Sequence, residues 1–242
     1  MIGPAETALP ASTNGKDATQ VSEAAKGRRG AKAPAKANDD ARTGPEPVAS
    51  APSRPRIIVG ISGASGFVYG VRLLQMLRRL DVETHLIVSV SAQTTMAYET
   101  GWKIADVRAL ADHHHRHDDM AACVSSGSYR TLGMIVAPCS MKTLADIATA
   151  TSSTLIARAA DVMLKERRRL VLLARETPLH AAHLRNMLAV TEMGAIVAPP
   201  VPAFYSRPAN LEEMIDHTLG RVLDLFDLDA GTVRRWSGSS RG

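Results

Sequence analysis

Only two cysteines, Cys123 and Cys139, occur in 242 residues, and aromatic side chains make up 4% of the chain. Two thiols can form neither a disulfide framework nor a metal quartet, which excludes the small disulfide-stapled class and fits a reducing compartment. No apolar run approaches the ~20 residues of a membrane span, and no charged start with an apolar core marks a secretory signal. A cytoplasmic protein is therefore expected. The net charge of +5 comes with no basic patch interleaved with rings, which tells against a nucleic-acid platform. A basic balance instead suits a small anionic ligand.

Residues 1–55 lack Phe, Tyr and Trp entirely and are rich in Ala, Pro and Lys. Such a segment cannot bury enough apolar surface to offset its ordering entropy, so a disordered extension is expected. Lys26, Arg28, Arg29, Lys32 and Lys36 cluster there, as a targeting peptide or nucleic-acid arm would require. Glu6, Asp17, Glu23, Asp39, Asp40 and Glu46 interrupt them, however, and no amphipathic period is visible. Residues 56–229 then form one domain of ordinary size, and residues 230–242 a flexible tail.

From residue 56 onward, short β-branched runs alternate with segments of helical period. The runs are residues 57–62, 84–89, 133–137, 170–174 and 195–198. Their nearly continuous apolar character predicts strands covered on both faces. Helices are predicted over 68–80, 91–100, 141–149, 155–168, 180–193 and 211–226. Strand and helix in repetition imply right-handed crossovers and a three-layer α/β fold, doubly wound on a parallel sheet, Rossmann-like. Ligands in such sheets bind beyond the carboxyl ends of the strands.

After the first strand comes Gly60-Ile61-Ser62-Gly63-Ala64-Ser65-Gly66. Glycines allow close backbone approach, and the following helix offers free N–H donors to a phosphate. The spacing is not that of a dinucleotide fold, and no acidic residue closes the second strand. That strand ends at Ser89, ahead of a helix carrying Glu99. Ser125-Ser126-Gly127-Ser128 has the small residues of an anion nest, and Pro138-Cys139-Ser140-Met141-Lys142-Thr143 offers hydroxyls that either cap a helix or meet a ligand. Arg158 and Lys165 lie two turns apart on one helix, hence on one face. Arg175 and Glu176 end the fourth strand; Tyr205 and Arg221 follow the fifth. Such an inventory suits two phosphoryl groups and a proton, without a metal.

In this order, the turn at 60–66 together with Ala137-Pro138-Cys139-Ser140-Met141-Lys142-Thr143-Leu144, Arg158-Ala159-Ala160-Asp161-Val162, Leu164-Lys165-Glu166-Arg167-Arg168, Arg175-Glu176-Thr177-Pro178-Leu179 and Pro202-Ala203-Phe204-Tyr205 resembles the UbiX-type flavin prenyltransferases. The resemblance implies a flavodoxin-like subunit and a homo-oligomer, typically a dodecamer. It implies alkylation of reduced FMN by dimethylallyl phosphate, the product serving a UbiD-type decarboxylase. It also implies that Gly63, Ala64, Ser65, Ser89, Ser140, Met141, Lys142, Thr143 and Arg175 contact FMN. Ser126, Gly127, Arg158, Lys165, Tyr205 and Arg221 would hold the prenyl phosphate, with Glu99 and Ser65 near the flavin ring and Glu176 near the leaving phosphate. Ala150-Thr151-Ser152-Ser153-Thr154 departs from the family, whose members often carry a Gly and an Asp-Asn or Asn-Asn pair here.

Two other readings share the fold or the cofactor. A flavin-dependent cysteine decarboxylase would need a Pro-x-Met-Asn-x-x-Met-Trp motif, which is missing. A non-catalytic FMN-binding subunit would have no use for Glu99, Lys165, Glu176 and Arg221 together. His113, His114, His115 and His117, followed by Asp118 and Asp119, have the residue types of a zinc site, but they read as a polar connection with no second ligand cluster. Cys139 has no activating partner nearby in sequence and reads as a buried small residue.

Overall fold

The computed structural model describes residues 54–235, so the expectations for residues 1–53 and 236–242 lie outside it. Among the described residues, six strands form one sheet: β1 (Arg56–Ile61), β2 (Glu83–Val88), β3 (His113–His115), β4 (Gly133–Cys139), β5 (Arg169–Ala174) and β6 (Ile196–Val197). The helices are α1 (Phe67–Arg79), α2 (Val90–Glu99), α3 (Ile104–Arg108), α4 (Met141–Ala148), α5 (Leu155–Lys165), α6 (Ala181–Glu192) and α7 (Leu211–Asp224). Short 3-10 turns occur at Cys123–Ser125 and Phe204–Ser206. All strand pairs are parallel, in the order β3-β2-β1-β4-β5-β6.

Alternation along each strand divides the core. Ile57, Val59 and Ile61 point into one apolar cluster with Leu73 and Leu74 of α1 and Leu219 and Leu223 of α7. Ile58, Met134 and Val136 point into a second cluster with Leu144 of α4 and Leu155, Ala159 and Val162 of α5. The sheet is thus covered on both faces, which is why its central strands read as unbroken apolar runs. Helices α1 and α7 cover one face; α4 and α5 cover the other.

The sequence predicts five strands, and the structure adds β3 between α3 and the turn at Cys123–Ser125. It consists of three histidines at the sheet edge, so neither β-branching nor alternation announces it; its register on β2 (His85↔His113, Ile87↔His115) makes it a strand. Without β3 the remaining order is 2-1-3-4-5, the flavodoxin arrangement. With it the order is 3-2-1-4-5-6. In both, the winding reverses between β1 and β4.

Several helices end in a Schellman turn on a residue with left-handed backbone. Only α6 uses glycine there, Gly194 (φ 104); α1, α4, α5 and α7 use Asp81 (φ 53), Ala150 (φ 54), Arg167 (φ 56) and Asp227 (φ 59). In α4 the Thr151 N–H donates to Asp146 O at 2.8 Å and the Ala150 N–H to Ile147 O at 3.1 Å. Beyond α7, residues read as the start of a flexible tail lie against that helix. Thr232 Oγ1 donates to Asp216 O at 3.0 Å, and Arg235 pairs with Asp224 at 3.0 Å. No described helix is long and apolar enough to cross a membrane.

Candidate active site

The reversal between β1 and β4 opens a crevice at the carboxyl end of the sheet, because the chains leaving these two strands run to opposite faces. Ser62 ties its floor together. Its buried hydroxyl donates to Pro138 O at 2.9 Å and accepts from Ser140 N at 2.7 Å. Above lies a cleft of about 560 Å³ lined by Gly63, Ser89, Val90, Ser91, His117, Ser140, Lys142, Thr143, Asp146, Thr154 and Ile156. A Cβ on Gly63 would come within 2.4 Å of Ser91 Oγ, so only glycine fits between the turn and α2.

Three helices begin at this cleft. Ser89 caps α2 through Ala92 N (3.0 Å), Ser140 caps α4 through Thr143 N (3.3 Å) and Thr154 caps α5 through Ala157 N (3.3 Å). Their N-terminal partial charges converge on one volume, a ready field for an anion. The hydroxyls are therefore caps and lining groups at once. Lys142 pairs with Asp146 at 2.7 Å along α4, and both residues line the cleft.

Beside the cleft, Glu99 reaches from the end of α2 to the start of α1. Its Oε2 accepts from Gly66 N at 2.9 Å and Phe67 N at 3.1 Å, and the Ser65 hydroxyl bonds to the same carboxylate. Partial burial pushes its pKa up. The hydrogen bonds from Ser65, Gly66 and Phe67 and the charge of Arg175 outweigh that, so the carboxyl is held below its ordinary value. Ala64 is buried behind the turn, and Met141 packs partly against the α4–α5 core. The Arg175 N–H donates to Cys139 O at 3.1 Å, which puts its side chain at the end of β4 and β5.

The second group of residues gathers on the α5 face. Arg158 Nε donates to Ser125 O at 3.2 Å and Arg158 pairs with Asp161 at 2.8 Å. Lys165 pairs with Glu166, and a Cβ on Gly127 would collide with both side chains. Ser126, Gly127, Arg158 and Lys165 are thus neighbours. Glu176 is exposed after β5, its Oε1 accepting from Thr177 N at 3.0 Å. Tyr205 and Arg221 stand elsewhere, lining a cleft of about 300 Å³ beside α7. Since α5 and α7 cover opposite faces of the sheet, one chain does not bring together the six residues expected to hold the prenyl phosphate.

Sequence reasoning missed Ser62, Ser91, His117, Asp146 and Thr154. Ser62 and Ser91 carry no signal beyond a polar residue at an element end, whereas Thr154 stands one residue before an apolar helical period, where a cap is expected. His117 reads in sequence as part of a polar connection, and it reaches the cleft because its carbonyl accepts from Leu155 N at the start of α5 at 2.7 Å. Cys139 is fully buried and burial pushes its thiol up to about 12, so it is no nucleophile.

Residues 47–235 match the family described as Flavoprotein. A probable UbiX-like flavin prenyltransferase of Bacillus subtilis is 55% identical over 183 residues, 76% of this chain and 90% of that protein. Flavin prenyltransferase UbiX of Escherichia coli K12 is 54% identical over 187 residues, 76% of this chain and 99% of its own. Among solved structures, AnUbiX in complex with FMN and dimethylallyl pyrophosphate is 58% identical, with a TM-score of 0.76 over 77% of this chain and 100% of that one. A dodecameric FMN-dependent UbiX-like decarboxylase from Escherichia coli O157:H7 is 52% identical, with a TM-score of 0.74 over 76% of this chain and 100% of that one. With this fold, this cleft and this degree of identity, the chain belongs to the flavoprotein family and, within it, to the UbiX-type flavin prenyltransferases.

Proposed function

We propose that this chain is a metal-independent flavin prenyltransferase that joins the dimethylallyl group of dimethylallyl phosphate to N5 and C6 of reduced FMN, giving prenylated FMN for a UbiD-type decarboxylase. The observation that carries the reading is the convergence of three capped helix N-termini on one cleft at the β1/β4 reversal. A phosphorylated ligand is what that field favours. Gly63, Ala64, Ser65, Ser89, Ser140, Met141, Lys142, Thr143 and Arg175 would hold FMN. Reduced FMN supplies the nucleophilic ring atoms when bound.

The remaining chemistry falls to the side chains. Breaking an allylic phosphate ester builds charge on the leaving group, and fixed cations at that point lower the barrier. Arg158, Lys165 and Arg221 would supply them, with Ser126, Gly127 and Tyr205 orienting the phosphate. Glu176 would carry a proton to the leaving oxygen. Glu99, fixed by Ser65 and two backbone N–H groups, would hold its charge beside the flavin ring.

Arg158 and Lys165 lie on one face of the sheet and Tyr205 and Arg221 on the other. A complete phosphate site would therefore draw on more than one copy. Tyr98 (88% exposed), Phe204 (75%) and Val201 (70%) are large apolar side chains left uncovered by this chain, as a homo-oligomer such as a dodecamer would use. A cytoplasmic setting suits a reduced flavin co-substrate. Anaerobic incubation of the protein with reduced FMN and dimethylallyl phosphate tests the reading: mass spectrometry should show prenylated flavin, and its absence would overturn it.

A further inference from the structure

The pairing of β3 with β2 brings the histidine run of residues 113–117 against groups that lie far away in sequence. His85 of β2 is buried, with 2% of its surface exposed. Its Nδ1 stands 3.0 Å from His115 Nε2. Cys123, at the start of the 3-10 turn, completes the group: the ligand atoms of His85, His115 and Cys123 all lie within 4.8 Å of one another. Hydrogen bonds also fix the buried ring from behind. Glu83 Oε1 lies 3.2 Å from His85 Nε2, and Arg56 holds the other carboxylate oxygen at 2.8 Å. A carboxylate that accepts the Nε2–H hydrogen bond leaves the Nδ1 lone pair facing His115, the arrangement that orients a metal-binding imidazole. The Tyr129 hydroxyl, 2.9 Å from the same Nε2, also bonds to Cys123.

We propose that His85, His115 and Cys123 form a binding site for a divalent transition-metal cation, with Zn²⁺ the best chemical match. Two imidazoles and a thiolate suit a borderline-soft ion that accepts four ligands, the fourth position being open to solvent on the exposed side of Cys123. A rival grouping of Glu83, His85 and His113 shares the buried ring. In it Glu83 is already committed to Arg56, and Tyr129 already faces the His85 nitrogen that would bind. The site stands apart from the prenyl-transfer cleft and does not depend on that reading. It would clip the edge strand β3 and the turn at Cys123–Ser125 to β2, just ahead of Ser126 and Gly127.

The test uses the tag-free full-length protein, stripped of metal and titrated with Co²⁺ alone, then with Zn²⁺ as competitor. One Co²⁺ per chain should bind with a near-ultraviolet thiolate-to-metal band that Zn²⁺ abolishes. Cys123→Ser should lose the band, and His115→Ala should weaken binding by roughly tenfold or more. His113→Ala and His114→Ala should leave it unchanged. No band in the unaltered protein, an unchanged affinity in Cys123→Ser, or equal weakening by His113→Ala or His114→Ala would each overturn the proposal. If circular dichroism shows that His115→Ala does not fold, Glu83→Gln replaces it: about tenfold weaker binding supports the site and unchanged binding refutes it.

Discussion

Glu99 accepts the free N–H groups of Gly66 and Phe67 at the start of α1, so its charge steadies the turn beside the cleft. Glu99→Gln keeps the shape and removes the charge. It should cost about 0.5–1 kcal/mol, toward the low end because the side chain is exposed to solvent. The carboxyl is held below its ordinary value in the folded protein. Its contribution is therefore full above the ordinary carboxylate pKa and is lost as pH falls through the lowered one. The gap between the two proteins in urea midpoints should accordingly close on acidification; a gap that widens would contradict the capping role. Lys165 and Glu176 test the phosphate side. Lys165→Ala and Glu176→Gln should leave FMN affinity within about twofold while slowing prenyl transfer by roughly 10²-fold or more. Loss of FMN as complete as that caused by Ser65→Tyr would show that these roles are wrongly assigned. At single positions Ser89, Ser140, Lys142 and Thr143 were legible as cleft residues, because strand ends in a parallel sheet are where ligands bind, whereas Ser91, Asp146 and Thr154 were not. Ser62 was not: its importance lies in two hydrogen bonds to a strand more than 70 residues away.

Helix α4 ends on Ala150, held at φ 54 by two backbone hydrogen bonds to the last turn. An alanine there bears a Cβ clash that glycine avoids, at about 1 kcal/mol. Ala150→Gly should therefore raise Tm by roughly 2–4 °C, measured by calorimetry, with FMN binding unchanged; a lower Tm would mean that the entropy glycine loses outweighs the relief of strain. The same turn ends α1, α5 and α7 on Asp81, Arg167 and Asp227. Their left-handed backbone is imposed by the hydrogen bonds and not advertised by residue type, which is why the predicted helices overrun their ends by one to three residues. Strand β3 was invisible for a related reason. Three histidines carry no β signal, and only the free edge of β2 makes them a strand.

Within one chain, the cations on α5 and those beside α7 are separated by the sheet. If complete sites form between copies, Arg158→Ala and Arg221→Ala should each be inactive alone yet recover activity when mixed and reassembled, since some sites then draw both intact arginines from different chains. Random mixing would restore about a quarter of the unaltered activity. No recovery, with mixed assembly verified by mass spectrometry, would mean that both arginines act from one chain.

The amino-acid sequence by itself determined the layers, five of the strands, the principal helices and the family, because unbroken apolar runs, helical periods and ordered motifs are local properties. Tertiary structure alone decided three things. It made the caps Ser89, Ser140 and Thr154 the walls of one cleft, because the reversal of winding at β1 and β4 brings three helix N-termini together. It put Arg158 and Arg221 on opposite faces, because the crossovers that follow β4 cover one face and the chain beyond β6 returns α7 to the face covered by α1. It turned a polar run of histidines into an edge strand beside His85, Glu83 and Cys123, because strand register joins residues that sequence spacing keeps apart.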